Sequence, residues 1–299
     1  MKRTSPILRI ATAVAWLFSV TACDKLGLGG DKSPTAPSDP PAAGSTIVYT
    51  AIGASDAAGV GSSVPCVSFT DCPNGMGYVP VTARTLTAQN FTVKLLNLGI
   101  PTSVIGPDFA QLGANYGRTI FGNFIDQEMP FVQRDSTVVT IFAGINEVTT
   151  ITAALGGGAG GSDPLGFIDN QVRAFGVDYA TLLDGIRGRA GQPRIVILNV
   201  PNAAGLPFLG GVSLAQRQAA QRAAVGMTRT VVNPLASASV VIVDLMCDSR
   251  SYQSSMYSTD GLHPNDAGYA FIASEIVKAI TMSTYPRPQS TCTAMTLVP

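Results

Sequence analysis

A three-layer α/β/α sandwich with a mostly parallel central sheet is the fold this sequence predicts. From Ile47 onward, short β-branched runs alternate with longer helical patterns, and that alternation is the mark of βαβ units. The runs are also continuously apolar rather than apolar at every second position, which suits strands buried on both faces of a parallel sheet.

The first strand candidate is Ile47-Val48-Tyr49-Thr50-Ala51-Ile52, ended by Gly53. The second runs from Ser136 to Phe142 and is ended by Gly144; the third is Arg194–Val200 and the fourth Val240–Asp244. Asp163-Pro164 supplies an N-cap and a first-turn proline for a helix reaching about Gly188. Ser213 caps an Ala/Gln/Arg-rich helix reaching about Val232, and Asn265–Ile280 reads as the final helix. Right-handed crossovers place the loops after the strands along one edge of the sheet, where sites in such folds form.

The chain has 299 residues, 46% of them apolar and only 13% charged, so it can bury a large core and is not globally disordered. With 19 basic and 19 acidic residues it lacks the positive balance that a nucleic-acid partner requires. The single histidine, His263, excludes any multi-histidine metal site. A catalytic imidazole, if there is one, must be His263.

The N-terminus carries a separate signal. Lys2, Arg3 and Arg9 flank the start of an apolar run, Ile10–Val20, that ends in Val20-Thr21-Ala22-Cys23. This is the layout of a secretory signal peptide, and the run is too short to span a bilayer comfortably. The ending resembles the bacterial lipoprotein signal, in which the cysteine is lipidated; an ordinary signal peptide that ends beside a cysteine is the alternative. The stretch Asp24–Ser45 is rich in Gly, Pro, Ser, Ala and Asp and reads as a flexible tether. The expected organisation is a lipoprotein signal peptide over 1–22, a linker lipid-anchored at Cys23 over 23–45, and one folded domain over 46–299. The implied location is the envelope of a bacterial cell, on the periplasmic or outer-surface side, with the membrane engaged only through lipid.

If Cys23 carries lipid, four cysteines remain, which is an even number suited to two disulfides in an exported protein. Of the three pairings, Cys66–Cys72 is the economical local one, which leaves Cys247–Cys292 to clip the tail to the body. The absence of any Cys-x-x-Cys pair argues against zinc.

Three segments have residues suited to chemistry. Gly53-Ala54-Ser55-Asp56 puts a serine on a turn just past the first strand. A serine hydroxyl needs a base, and Asp260-Gly261-Leu262-His263 offers an imidazole with a carboxylate three residues before it to fix the tautomer. Past the second strand, Asn146 in Gly144-Ile145-Asn146 can present its amide to a developing oxyanion.

Together these segments resemble the SGNH (GDSL-type) hydrolase family. Gly53-Ala54-Ser55 matches its nucleophile block, Gly144-x-Asn146 its asparagine block, and Asp260-x-x-His263 its terminal dyad, in the expected order. The family's Asn-x-x-x-x-Gly block corresponds to Asn97-Leu98-Gly99-Ile100-Pro101-Thr102. Ala54 stands where the family usually has Asp, Glu147 replaces the common Asp after the asparagine, and Thr102 occupies the oxyanion glycine position. Gly99 is therefore the alternative backbone donor in that block. The Gly-x-Ser-x-Gly elbow of α/β-hydrolases lacks its last glycine here, since Ala57 occupies that position.

The resemblance implies an SGNH hydrolase-like, flavodoxin-like fold and a serine esterase or lipase. Ser55, His263 and Asp260 would form the triad, with the Ser55 N–H, the Asn146 side chain and Gly99 or Thr102 as oxyanion donors. No metal or cofactor is required, and the expected partner is a small-molecule, lipid or glycan ester met by a monomer. A tethered binding protein on the same fold, or an acyltransferase with the same triad, are the alternatives. The insert Ala57–Pro80 and the run Gly156–Gly161 are candidate pocket-shaping or lid segments, and Asn199–Asn202 and Phe208-Leu209 are candidate acyl-pocket residues.

Overall fold

The structure is a computed structural model, and it describes residues 39–299. The expected signal peptide, Cys23 and most of the linker lie outside the described residues. The described part falls within one unit, Ala36–Pro299.

Five parallel strands form the sheet: β1 (Thr46–Gly53), β2 (Thr92–Asn97), β3 (Val138–Phe142), β4 (Arg194–Leu198) and β5 (Val240–Val243), in the order β2-β1-β3-β4-β5. The helices are α1 (Ser55–Ala58), α2 (Tyr78–Ala88), α3 (Pro107–Asn115), α4 (Ile145–Gly156), α5 (Pro164–Ala190), α6 (Leu214–Gly226) and α7 (Asp266–Thr281). The predicted sandwich is therefore present, with a sheet parallel throughout.

Alternation along the strands explains their unbroken apolar runs. Ile195 and Ile197 of β4 face one core while Val196 and Leu198 face the other; Val139 and Ile141 of β3 divide from Val138 and Phe142 in the same way. One core lies under α3 to α6 and the other under α2 and α7. The polar residues inside strands pair across the sheet: Tyr49 Oη lies 3.0 Å from Thr140 Oγ1, and Thr50 Oγ1 lies 2.7 Å from Ser136 Oγ.

The three predicted helices end close to expectation. Asp163 caps α5 by accepting the Gly166 N–H at 2.9 Å, Ser213 and Gln216 form a capping box on α6, and Asn265 accepts the N–H groups of Ala267 and Gly268 on α7. Past Gly226 the α6 helix continues as a wider-wound turn, Met227–Val232. Strand β4 stops at Leu198, where the Asn199 side chain turns aside, donating to Asp244 and Asn233 and accepting the Met246 N–H.

The sequence reading missed one strand. β2 is an edge strand with Lys94 in its middle and half-exposed neighbours, so it shows no buried run. Helices α2, α3 and α4 are further elements that the sequence patterns above do not predict. Both disulfides are present as paired above, Cys66–Cys72 and Cys247–Cys292. No helix among the described residues is long and apolar enough to cross a membrane.

Candidate active site

Strand order reverses between β1 and β3, and the site forms past the carboxyl ends of those two strands, as open α/β sheets favour. β1 ends at Gly53, Ala54 adopts φ −101° and ψ −136°, and Ser55 opens the single turn of α1. The bend is tight: a Cβ on Gly53 would come within 2.9 Å of the Ala57 Cβ, and one on Gly99 within 2.5 Å of the same atom. Ser55 is left 8% exposed on the wall of a cleft.

His263 reaches the serine from the loop between β5 and α7. Its Nε2 lies 2.8 Å from Ser55 Oγ, across 208 residues of chain, and its Nδ1 lies 2.6 Å from Asp260 Oδ2. Asp260 Oδ1 accepts the N–H groups of Leu262 at 2.8 Å and His263 at 2.9 Å and the Ser258 hydroxyl at 2.9 Å. Partial burial raises the Asp260 carboxyl; the bond to the His263 ring and those to the backbone and Ser258 more than reverse this and hold it below the usual carboxylate range. The loop after α1 backs the histidine, because a Cβ on Gly61 would lie 2.7 Å from the His263 Cβ. Ser63 donates to Asp266 at the start of α7 through both its N–H and its hydroxyl. The insert Ala57–Pro80 thus supports His263 and the start of α7.

Asn146 sits in the first turn of α4, 8% exposed and on the same cleft. Gly144 before it has φ +125°, and a Cβ there would be 2.1 Å from Val200 Cγ2, so the turn requires glycine. Asn146 Nδ2 donates one hydrogen to Ser103 O at 2.8 Å, and its second hydrogen meets no acceptor among the described residues. Arg118 steadies the other side, donating to Asn146 O at 2.6 Å.

The Asn97–Thr102 block adjoins this amide through Ser103. The Gly99 N–H is already committed, donating to Asn97 Oδ1 at 3.1 Å, whereas no hydrogen bond engages the Thr102 N–H among the described residues. Ser103 N–H closes a β-turn onto Ile100 O with Pro101 and Thr102 at its corners, and Thr102 takes φ +66°. That left-handed value is the one a glycine adopts freely, and a threonine holds it at a cost of about 1–2 kcal/mol. Neither Gly99 nor Thr102 lines the cleft itself.

Two buried carboxyl groups brace the site without touching the cleft. Glu128 Oε2 accepts the Gly53 N–H at 2.9 Å, immediately before the serine turn. Glu147 Oε1 accepts the Ile105 N–H at 2.5 Å. Burial pushes both carboxyl groups up against the opposing pull of these N–H donors, Glu147 to about 7 and Glu128 well above the usual carboxylate range. Asp56, next to Ser55, lines the cleft and is also raised by burial, with the nearby His263 pulling it down. No motif marked Glu128 or Arg118, and Glu147 stood out in the sequence only as a substitute for the family's usual aspartate.

The enclosed space of the cleft is small, about 40 Å³, and its walls are mostly hydrocarbon. Pro201 and Leu206 contribute to it, whereas Phe208, Leu209 and the glycines 156–161 do not. No cluster of three or more metal-ligating groups occurs among the described residues.

Over residues 51–271 the sequence matches the model of the GDSL-like lipase/acylhydrolase family. Among solved structures, a lipase from a goat rumen metagenome aligns with a TM-score of 0.56 and 19% identity, covering 80% of this chain and 100% of its own. An extracellular lipase from Streptomyces rimosus aligns with a TM-score of 0.51 and 17% identity, covering 75% of this chain and 95% of its own. At these identities the likeness is one of fold. No curated protein matches the sequence significantly.

Proposed function

The chain belongs to the GDSL-like lipase/acylhydrolase family, and from that premise we propose that it is a serine esterase cleaving carboxylic esters through an acyl-enzyme on Ser55. One observation carries the reading: Ser55 Oγ, the His263 ring and Asp260 stand in unbroken hydrogen-bonded series at 2.8 and 2.6 Å.

Ser55 Oγ attacks the ester carbonyl carbon as its proton passes to His263 Nε2. Asp260 keeps the other ring proton on Nδ1 and balances the imidazolium. The oxyanion is held by the Ser55 N–H, the remaining amide hydrogen of Asn146 and the N–H of Thr102, whose uncommitted state favours it over Gly99. The intermediate then expels the alcohol, which takes its proton from His263. Water, deprotonated by the same ring, attacks the acyl-enzyme and releases the acid with Ser55 restored.

A fluorophosphonate probe tests this directly. Wild-type protein is expected to be labelled on Ser55, located by peptide mass mapping, and to hydrolyse a short aryl ester. A folded protein that is neither labelled nor active overturns the reading and leaves a tethered binding protein on this fold. Transfer to an added alcohol, seen as a new ester product, identifies an acyltransferase.

The proposal extends to placement. Cleavage before Cys23 and lipidation of that residue would tether the domain to an envelope membrane of a bacterial cell. Incorporation of an alkyne-tagged fatty acid that Cys23→Ala abolishes is the expected result, and label persisting in that variant counts against it.

A further inference from the structure

Arg118 brings a positive charge to α4 that the helix itself does not call for. It lies in the loop after α3, its N–H donating to Gly113 O at 2.9 Å, and its side chain reaches the first two turns of α4. Nη1 donates to Asn146 O at 2.6 Å and to the Thr150 hydroxyl, and Nη2 lies 3.4 Å from Asn146 Oδ1. The start of a helix favours an anion over a cation. Arg118 makes no ion pair among the described residues. Burial pulls its guanidinium down from the ordinary value, with the charge of Glu147 working the other way. Nor does Asn146 O lack partners, since it also accepts the hydroxyls of Thr149 at 3.0 Å and Thr150 at 2.7 Å.

What the guanidinium does is settle the Asn146 side chain. The amide has Oδ1 toward Arg118 and Nδ2 toward Ser103 O. Turned over, it would set its N–H groups against a cation and its oxygen against a carbonyl, so both neighbours oppose the turn. In the orientation they select, the second Nδ2 hydrogen stays uncommitted on a residue that lines the cleft. A positive charge at Oδ1 also draws electron density off the amide nitrogen and makes that N–H a stronger donor. Arg118 itself does not line the cleft.

We propose that Arg118 is a positioning residue of the oxyanion hole. It acts through Asn146, holding the amide so that one N–H is kept for the developing oxyanion and strengthening that N–H as a donor. The inference rests on the esterase reading of Ser55 and extends it to a residue outside both the triad and the cleft.

The test is a double-mutant cycle on the intact protein with 4-nitrophenyl butyrate. Arg118→Met keeps the stem and removes the charge and the donors. In the wild-type background it is expected to lower kcat about five- to thirtyfold with KM within about twofold, because the oxyanion forms only in the transition state. In the Asn146→Ala background the same change should alter the residual kcat by less than about twofold, because no amide is left to hold. Arg118→Lys, whose single ammonium cannot span Asn146 O and Oδ1 together, should fall between wild type and Arg118→Met. If circular dichroism shows that Arg118→Met does not fold, the cycle is run with Arg118→Lys and the same contrast between backgrounds is expected. An equal loss in both backgrounds, a loss confined to KM, or no loss in wild type overturns the proposal. Fluorophosphonate labelling of the wild-type protein separates the two failures. A labelled, active enzyme that lacks the contrast between backgrounds sinks the role of Arg118 alone, and an unlabelled, inactive protein sinks the esterase reading as well.

Discussion

Asp260 grips His263 at two points, its Oδ2 2.6 Å from the ring Nδ1 and its Oδ1 2.9 Å from the backbone N of the same residue. A single carboxylate thus fixes both the ring and the chain that bears it. Asp260→Asn is expected to fold, since an amide oxygen still accepts the backbone N–H groups. It should lower kcat/KM for an aryl ester by roughly 10²–10⁴-fold through loss of the charge and of the correct tautomer. Unchanged turnover in steady-state assays would show that Asp260 is structural only.

The acid limb of the rate profile follows from the same pair. Because Asp260 is held below the usual carboxylate range, it stays charged on mild acidification, and a ring that carries both protons cannot act as base. Activity is expected to fall on acidification with a slope of one in log kcat/KM against pH. A slope of two would mean that a second group, with Asp56 the nearest candidate, titrates with it.

Asn146 and Ser55 separate in their kinetic signatures. Asn146→Ala removes a donor that strengthens only as the oxyanion forms, so kcat should fall about 10²–10³-fold with KM little changed. Ser55→Ala should abolish turnover while circular dichroism stays native. If Asn146→Ala raised KM alone, the amide would be a ground-state contact.

Stability should depend on pH through Glu147. Its folded-state carboxyl lies at about 7 against an ordinary 4.5 because burial outweighs the N–H donors around it. The folded form therefore binds the proton more tightly than the unfolded chain. This contribution to stability is complete below about pH 4.5 and is lost as pH rises through about 7, on the order of 3 kcal/mol across the window. Wild-type Tm at pH 5 should exceed that at pH 8, and Glu147→Gln should reduce the difference without removing the share of the other buried carboxyl groups, Glu128 among them. An equally steep profile in the variant would assign the effect elsewhere.

The tail is held by a bridge and by hydrogen bonds. Cys247–Cys292 spans 45 residues, and beyond it Asn202 Nδ2 donates to Ala294 O and Gln221 Nε2 to Val298 O, each at 2.8 Å. Closing a loop of that length is worth up to about 4 kcal/mol, against about 2 kcal/mol for the short Cys66–Cys72 loop. Calorimetry of the Cys247→Ser/Cys292→Ser variant should show the larger fall in Tm. A larger fall on breaking Cys66–Cys72 would mean that the insert behind His263 matters more than loop length.

What the sequence made legible, and what it hid, divides along physical lines. Strands β1, β3, β4 and β5 are buried on both faces and so appear as unbroken apolar runs; β2, at the edge, is half-exposed and does not. Ser55, Asn146 and the Asp260–His263 pair were readable because each sits in a short block just past a strand or before a helix, where type and spacing encode the turn. Glu128 and Arg118 were not, because their partners lie far away in the chain. A lone glutamate at position 128 has no local feature to distinguish it from a solvated one. Thr102 lies between these cases: its place in the block was readable, but its left-handed backbone and uncommitted N–H became visible only in the fold.

The bond between Ser55 and His263 joins the second residue past the first strand to the last residues before the final helix, so almost the whole domain must be in place before base and nucleophile meet. A chain still on the ribosome, or cut short before Asp260, holds a serine with no partner and is chemically inert. On the esterase reading, ester turnover is itself a gauge of finished folding, and a cell making this protein would not meet that activity until the last segment docks.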